Sequence, residues 1–151
     1  MYPYSYPAID PKLMYFKDFP QFLEDLKKAI ADERNAIDLY TRLLKVAPTE
    51  MARNSVQTAL ADEKVHDIKL TRLYKQLTGH KPEIITKKVE FQHFFDGLQK
   101  AFIDEVKAAE FYKEMYLSVF CPNIRDILYS IQHDEIEHAT LFNWIHTEIK
   151  A

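Results

Sequence analysis

The segments Asp62-Glu63-Lys64-Val65-His66 and Asp134-Glu135-Ile136-Glu137-His138 lie 72 residues apart, and each sets a carboxylate and an imidazole one helical turn from one another. Around both, apolar residues recur every three or four positions, so Glu and His fall on the face that a helix turns toward its core. Isolated buried carboxylates are too costly to keep ionised. A chain that buries such groups twice needs a fold that also neutralises them.

The two segments belong to a longer duplication. Moved by 72 positions, Phe19 falls on Phe91, Phe22 on Phe94, Leu26 on Leu98, Asp32-Glu33 on Asp104-Glu105, Ala36 on Ala108, Tyr40 on Tyr112 and Arg53 on Arg125. Four apolar stripes of helical period follow. The first runs through Leu23, Leu26, Ile30, Ile37, Tyr40 and Leu44 with Glu33 in its gap, and predicts a helix over about 20–46. Val56, Leu60, Leu70, Leu73 and Leu77 form the second, with Glu63 and His66 in the gap. Phe94, Leu98, Phe102, Tyr112 and Val119 form the third around Glu105, and Leu128, Ile131, Leu141, Ile145 and Ile149 the fourth around Glu135 and His138. Asp18 before Pro20 and Gln21 reads as a helix start, and Thr78-Gly79 as a helix stop.

The breaks at Ala47-Pro48-Thr49 and Cys121-Pro122-Asn123 are short and imply antiparallel hairpins. The aperiodic segment from His80 to Val89 is long enough to run the length of a bundle, since ten to fourteen extended residues reach about 33–50 Å and a helix of about 25 residues spans about 37 Å. The expected fold is therefore all-α: a ferritin-like four-helix bundle over residues 18–151, with one long crossover between helices 2 and 3. Residues 1–17, which interleave Tyr2, Tyr4, Tyr6 and Tyr15 with Pro3, Pro7 and Pro11, form a separate N-terminal tail.

Composition removes other classes. A net charge of -3 without a Lys/Arg block argues against nucleic acid or a membrane surface as partner. Cys121 is the only cysteine, so neither an internal disulfide nor a thiolate metal cage is available. With no signal peptide and no stretch of about 18 apolar residues, the chain reads as soluble and cytoplasmic.

In a bundle, one Glu from each of two helices and a Glu-x-x-His from each of the other two build a two-metal carboxylate site. Glu33 and Glu105 supply the single carboxylates; Glu63 with His66 and Glu135 with His138 supply the motifs. Such oxygen-rich donors, with one imidazole per metal, suit two iron ions, with manganese or zinc as possible occupants. Twelve Glu and six His in this length give about half a Glu-x-x-His match by composition alone, so the repeat carries the signal rather than the spacing. Glu90-x-x-His93 has the spacing, but the repeat places it opposite Asp18 and Gln21, where it reads as a helix cap. Tyr40 and Tyr112 read as core residues or as donors to ligand carboxylates. Asp62 and Asp134 stand either as acceptors that orient the histidines or on a solvated face. His80, His133 and His146 read as surface residues, Cys121 as inert, and no catalytic residue is expected beyond the metal ligands.

On Glu33, Glu63-x-x-His66, Glu105 and Glu135-x-x-His138, with Leu77-Thr78-Gly79 and Pro82 at the end of helix 2, the chain resembles the rubrerythrin and bacterioferritin branch of the ferritin-like di-iron superfamily over about residues 19–150. The resemblance implies a non-haem di-iron centre that reacts with hydrogen peroxide or dioxygen, electrons from an external donor protein, and a homodimer. The alternative it implies is ferroxidase activity and iron storage. Rubrerythrins often carry a four-cysteine module and a second helix-3 glutamate, where this chain has Ala108. Lys64 stands where methionine would mark the bacterioferritin haem site.

Overall fold

The computed structural model describes residues 14–150, so most of the expected Tyr/Pro-rich tail lies outside the described residues. Four helices follow one another: α1 (Phe19–Leu44), α2 (Glu50–Thr78), α3 (Phe94–Leu117) and α4 (Pro122–Lys150). The fold is an all-α, ferritin-like four-helix bundle. No helix among the described residues is long and apolar enough to cross a membrane.

The helix ends lie where the local chemistry puts them. The Asp18 carboxylate accepts from the Gln21 N–H and Pro20 occupies the first turn of α1. Thr49 caps α2 through the Ala52 N–H. Gly79 ends α2 at φ +78°, a left-handed conformation that favours a residue without Cβ. His93 is the N-cap of α3 and accepts from the Asp96 N–H at 3.3 Å, while the Asp96 carboxylate reaches back to the Gln92 N–H at 3.0 Å. The Glu90–His93 pair is thus absorbed by a helix start.

Hairpins α1–α2 and α3–α4 are joined by residues 79–93, which form no regular element. This crossover is tied along α1, where Asn35 accepts from the Lys87 N–H at 2.7 Å and Arg42 donates to the Val89 carbonyl at 2.7 Å. At its far end Lys100 of α3 donates to the Glu90 carbonyl. Helices α1 and α3 are antiparallel neighbours. Phe16 and Val119, just before α1 and just after α3, form an antiparallel bridge. At the other end, a Cβ on Gly97 would lie 2.5 Å from Leu43 Cδ2, so the absent side chain lets the end of α1 approach the start of α3.

The buried apolar residues form two clusters. One holds Phe16, Phe22, Leu26, Ile30, Leu70, Leu73, Met115 and Leu128; the other holds Leu39, Leu43, Val56, Leu60, Leu98, Phe142 and Ile145. Along every helix the residues between the two clusters are polar: Glu33 on α1, Glu63 and His66 on α2, Glu105 on α3, Glu135 and His138 on α4. Side chains such as Leu26 and Leu128, fully buried, contribute about 1.5–3 kcal/mol each through burial. The two apolar plugs close the layer from the two ends of the bundle.

A Cβ added at Gly79 would meet nothing within 4 Å, so only the backbone conformation resists substitution there. Gly79→Ala is expected to lower stability by about 1 kcal/mol, and Gly79→Asn by less, in urea denaturation. Equal stability of all three would sink the assignment of Gly79 as the helix stop.

Candidate metal centre

All six side chains of the polar layer are buried to 3% exposure or less. Each comes from the middle of its helix, one or two turns from apolar neighbours on the same face, which carry it into the bundle axis. Their donor atoms form two overlapping sets of four: Glu33, Glu63, His66 and Glu135, and Glu63, Glu105, Glu135 and His138. Within each set the atoms lie within 4.8 Å of one another, and Glu63 and Glu135 belong to both.

The histidines are oriented across the duplication. His66 Nε2 is 2.9 Å from Asp134 Oδ2, and His138 Nε2 is 3.0 Å from Asp62 Oδ2. A carboxylate accepts, so Nε2 carries a proton in both rings and Nδ1 is the nitrogen aimed at the glutamates. His66 Nδ1 lies 3.0 Å from Glu63, 3.2 Å from Glu135 and 3.5 Å from Glu33. His138 Nδ1 lies 3.0 Å from Glu63 and 3.4 Å from Glu105. Tyrosines cross in the same way. The Tyr40 hydroxyl donates to Glu105 Oε1 and the Tyr112 hydroxyl to Glu33 Oε1.

Without a cation this cluster has to manage its charge with protons. Burial, then the Glu33 charge, push Glu63 well above the ordinary carboxylate range. Burial and the charges of Glu63, Glu33 and Glu105 do the same to Glu135. Glu33 moves the other way: burial would raise it, but hydrogen bonds from Glu63, His66 and Tyr112 outweigh burial and hold it low. For His66 burial opposes the cation, yet the carboxylates of Glu135, Glu33 and Glu63 overcome it and raise the ring well above its usual range. His138 is raised to about 9, with burial again outweighed, here by Glu105 and Asp62. Both tyrosines are held protonated by burial and by the adjacent glutamates, as donors should be.

Protons satisfy the cluster only in part. Glu105 Oε2 is buried with neither a hydrogen bond nor an ion-pair contact among the described residues, while Glu63 Oε1 and Glu135 Oε1 make no well-formed hydrogen bond and are served by the His138 and His66 Nδ1 atoms at 3.0 and 3.2 Å. Buried polar atoms are nearly always paired. Carboxylate oxygens gathered this closely suit a cation that takes several at once. Carboxylate oxygen with imidazole is the donor set of iron, manganese and zinc. The residues present fit such a metal.

A cavity of about 210 Å³ opens between α1 and α3 and reaches the glutamates. Ala36 and Ala108, equivalent under the repeat, line it, and Val89 of the crossover adds to its wall. Lys28, Asp32, Asp104 and Lys107 belong to the same lining. These four drew no assignment from sequence; the only signal there was the match of Asp32-Glu33 with Asp104-Glu105. The remaining histidines lie elsewhere. His80 bonds within the turn after α2, His133 pairs with Glu137 on the surface, and His146 stacks edge-on against Phe95.

The chain matches no protein-family profile. It is 28% identical over 143 residues to the Bacillus subtilis protein YhjR, covering 93% of this chain and 92% of that protein. Among solved structures it is similar to a hypothetical protein from Pyrococcus furiosus, with TM-score 0.70 and 24% identity over 81% of this chain and 85% of the other. It is also similar to the bacterioferritin-related protein of Bacteroides fragilis, described as a dodecameric thioferritin, with TM-score 0.75 and 16% identity over 88% of each chain. The last of these likenesses, with the four-helix arrangement, establishes the ferritin-like fold.

Because four carboxylates crowd the layer, removing acidity should help the metal-free fold. Glu63→Gln with Glu135→Gln is expected to stabilise the metal-free protein by about 1–2 kcal/mol in urea while weakening metal binding. A metal-free double variant less stable than the parent would show that the glutamates are not in conflict.

Proposed function

We propose that this protein is a rubrerythrin-like non-haem di-iron oxidoreductase that reduces hydrogen peroxide, or dioxygen, with electrons from an external donor protein. The observation that carries the reading is the pair of overlapping, fully buried four-residue donor sets that share Glu63 and Glu135 and leave Glu105 Oε2 without a partner among the described residues. Glu33, Glu63, His66 and Glu135 would hold one ion, and Glu63, Glu105, Glu135 and His138 a second. Bound as iron(II), the pair of ions would supply together the two electrons that reduction of a peroxide consumes.

The side chains would do the rest by geometry. Tyr40 and Tyr112 each hold one oxygen of Glu105 and Glu33, leaving the second to face a metal. Asp62 and Asp134 hold the imidazoles by Nε2, so that Nδ1 points inward. The two apolar clusters close the ends of the layer, and the α1–α3 cavity admits a molecule of peroxide size from the side. No other acid-base pair is required. The working form in this reading is a cytoplasmic homodimer.

A second reading, ferroxidase activity with iron storage, is favoured by the likeness to the bacterioferritin-related protein described as dodecameric. In that reading the same six residues would hold incoming iron(II) while dioxygen or peroxide takes its electrons, and the ferric product would be deposited inside a closed shell.

Anaerobic reconstitution is expected to give about two irons per chain and a higher melting temperature, since a ligand at a hundred times its Kd adds about 2.7 kcal/mol. Rapid mixing should then oxidise the centre at least about tenfold faster with peroxide than with dioxygen. Preference for dioxygen, with ferric content growing past two per chain in a large shell, would replace the first reading by the second. Failure to take up any metal would remove both.

A further inference from the structure

The cavity between α1 and α3 connects the centre with the surface. Its inner end is formed by Glu33, Glu63, Glu105 and Glu135, among which Glu105 Oε2 is buried with neither a hydrogen bond nor an ion-pair contact among the described residues. At the outer end stand Asp32 and Asp104, each immediately before one of those glutamates and related by the duplication. Asp104 is exposed and makes no hydrogen bond or ion pair among the described residues. Asp32 is held by the Lys28 ammonium, which also lies 4.4 Å over the Phe111 ring at the cavity edge. On the opposite side, between α2 and α4, the His66 and His138 rings close the centre, each 1% exposed and hydrogen-bonded to an aspartate in front of it.

We propose that divalent metal ions reach the six-residue centre through the α1–α3 cavity, with Asp104 and Asp32 at its mouth as their first, transient ligands. This route rests on the reading that the six residues bind metal, and adds only the path to them. A cation leaving water needs oxygen donors along its way, because each ligand it loses must be replaced. The aspartates offer such donors at the surface, and the glutamates at the inner end offer more of them inside. The step between them is short in the chain, from Asp104 to Glu105 and from Asp32 to Glu33.

Charge at the mouth sets the rate. Lys28 and Lys107 balance Asp32 and Asp104, so the mouth is neutral as it stands and becomes doubly positive if both aspartates are neutralised. The Lys28–Asp32 pair is solvent-exposed on both sides, with side chains 59% and 51% accessible, and an exposed pair is weak enough to open. Lys28 thereby acts as a latch over one of the two mouth ligands.

The test uses the full chain, freed of metal by chelation, and follows cobalt(II) uptake by stopped-flow absorption at low ionic strength. Asp32→Asn with Asp104→Asn is expected to slow uptake about fivefold or more, with the final amount bound unchanged, because steering by a few charges changes association rates by factors of ten and above. Lys28→Ala should speed uptake about twofold or more, and raised salt should narrow the differences. Ala108→Leu, which fills the passage, should slow uptake as well. Parental rates in both the double aspartate variant and Ala108→Leu would overturn the route. A parent chain that binds no cobalt at all would instead remove the metal reading, and the route with it.

Discussion

Four carboxylates and two imidazoles occupy a buried layer in the middle of the bundle, and the rest of the structure is arranged around neutralising them. Two like charges 4 Å apart oppose each other by about 4 kcal/mol at the effective dielectric of a protein, against a total stability of about 5–15 kcal/mol for a domain. The layer therefore cannot hold Glu33, Glu63, Glu105 and Glu135 all ionised without positive charge among them. Apolar clusters above and below limit the water that could screen these groups to what the α1–α3 cavity admits. Protons on Glu63, Glu135 and the histidines reduce the repulsion but leave Glu105 Oε2 without a partner among the described residues. A bound cation relieves both difficulties at once.

The duplication explains how one chain assembles so costly a layer. Neither hairpin is complete alone. Tyr40 of the first supports Glu105 of the second, and Tyr112 of the second supports Glu33 of the first. Asp62 and Asp134 exchange histidines in the same manner. The tyrosine contacts lie along the α1–α3 seam and the aspartate contacts along the α2–α4 seam, so each seam between the hairpins carries one crossed pair. Packing the hairpins together and aligning the donor atoms are consequently one event.

Much of this was legible in the chain. The four stripes, their caps and the crossover follow from period, Pro and Gly placement and loop length, and the helices begin or end within a few residues of expectation. Helix α1 ends at Leu44 rather than near 46, and Val119, read into the third stripe, lies just beyond α3 in a bridge with Phe16. End effects of this kind depend on local hydrogen bonds that period alone does not encode. His93 shows the strength of the repeat: spacing made it resemble a ligand, but its position opposite Asp18 and Gln21 marked a helix start, where it caps α3.

Sequence by itself determined the all-α bundle, its long crossover and the burial of six metal-compatible side chains, because each of these depends on residue type at helical period within one element. Which side chain meets which across the bundle was decided only by tertiary structure. Tyr40 could have bonded to Glu33 in its own helix, and Asp62 could have faced water; the antiparallel approach of α1 to α3, and of α2 to α4, sent both to the opposite hairpin. The α1–α3 cavity and the charged residues at its mouth have the same origin. They arise from the spacing of two helices far apart in the chain, a distance that no local pattern records.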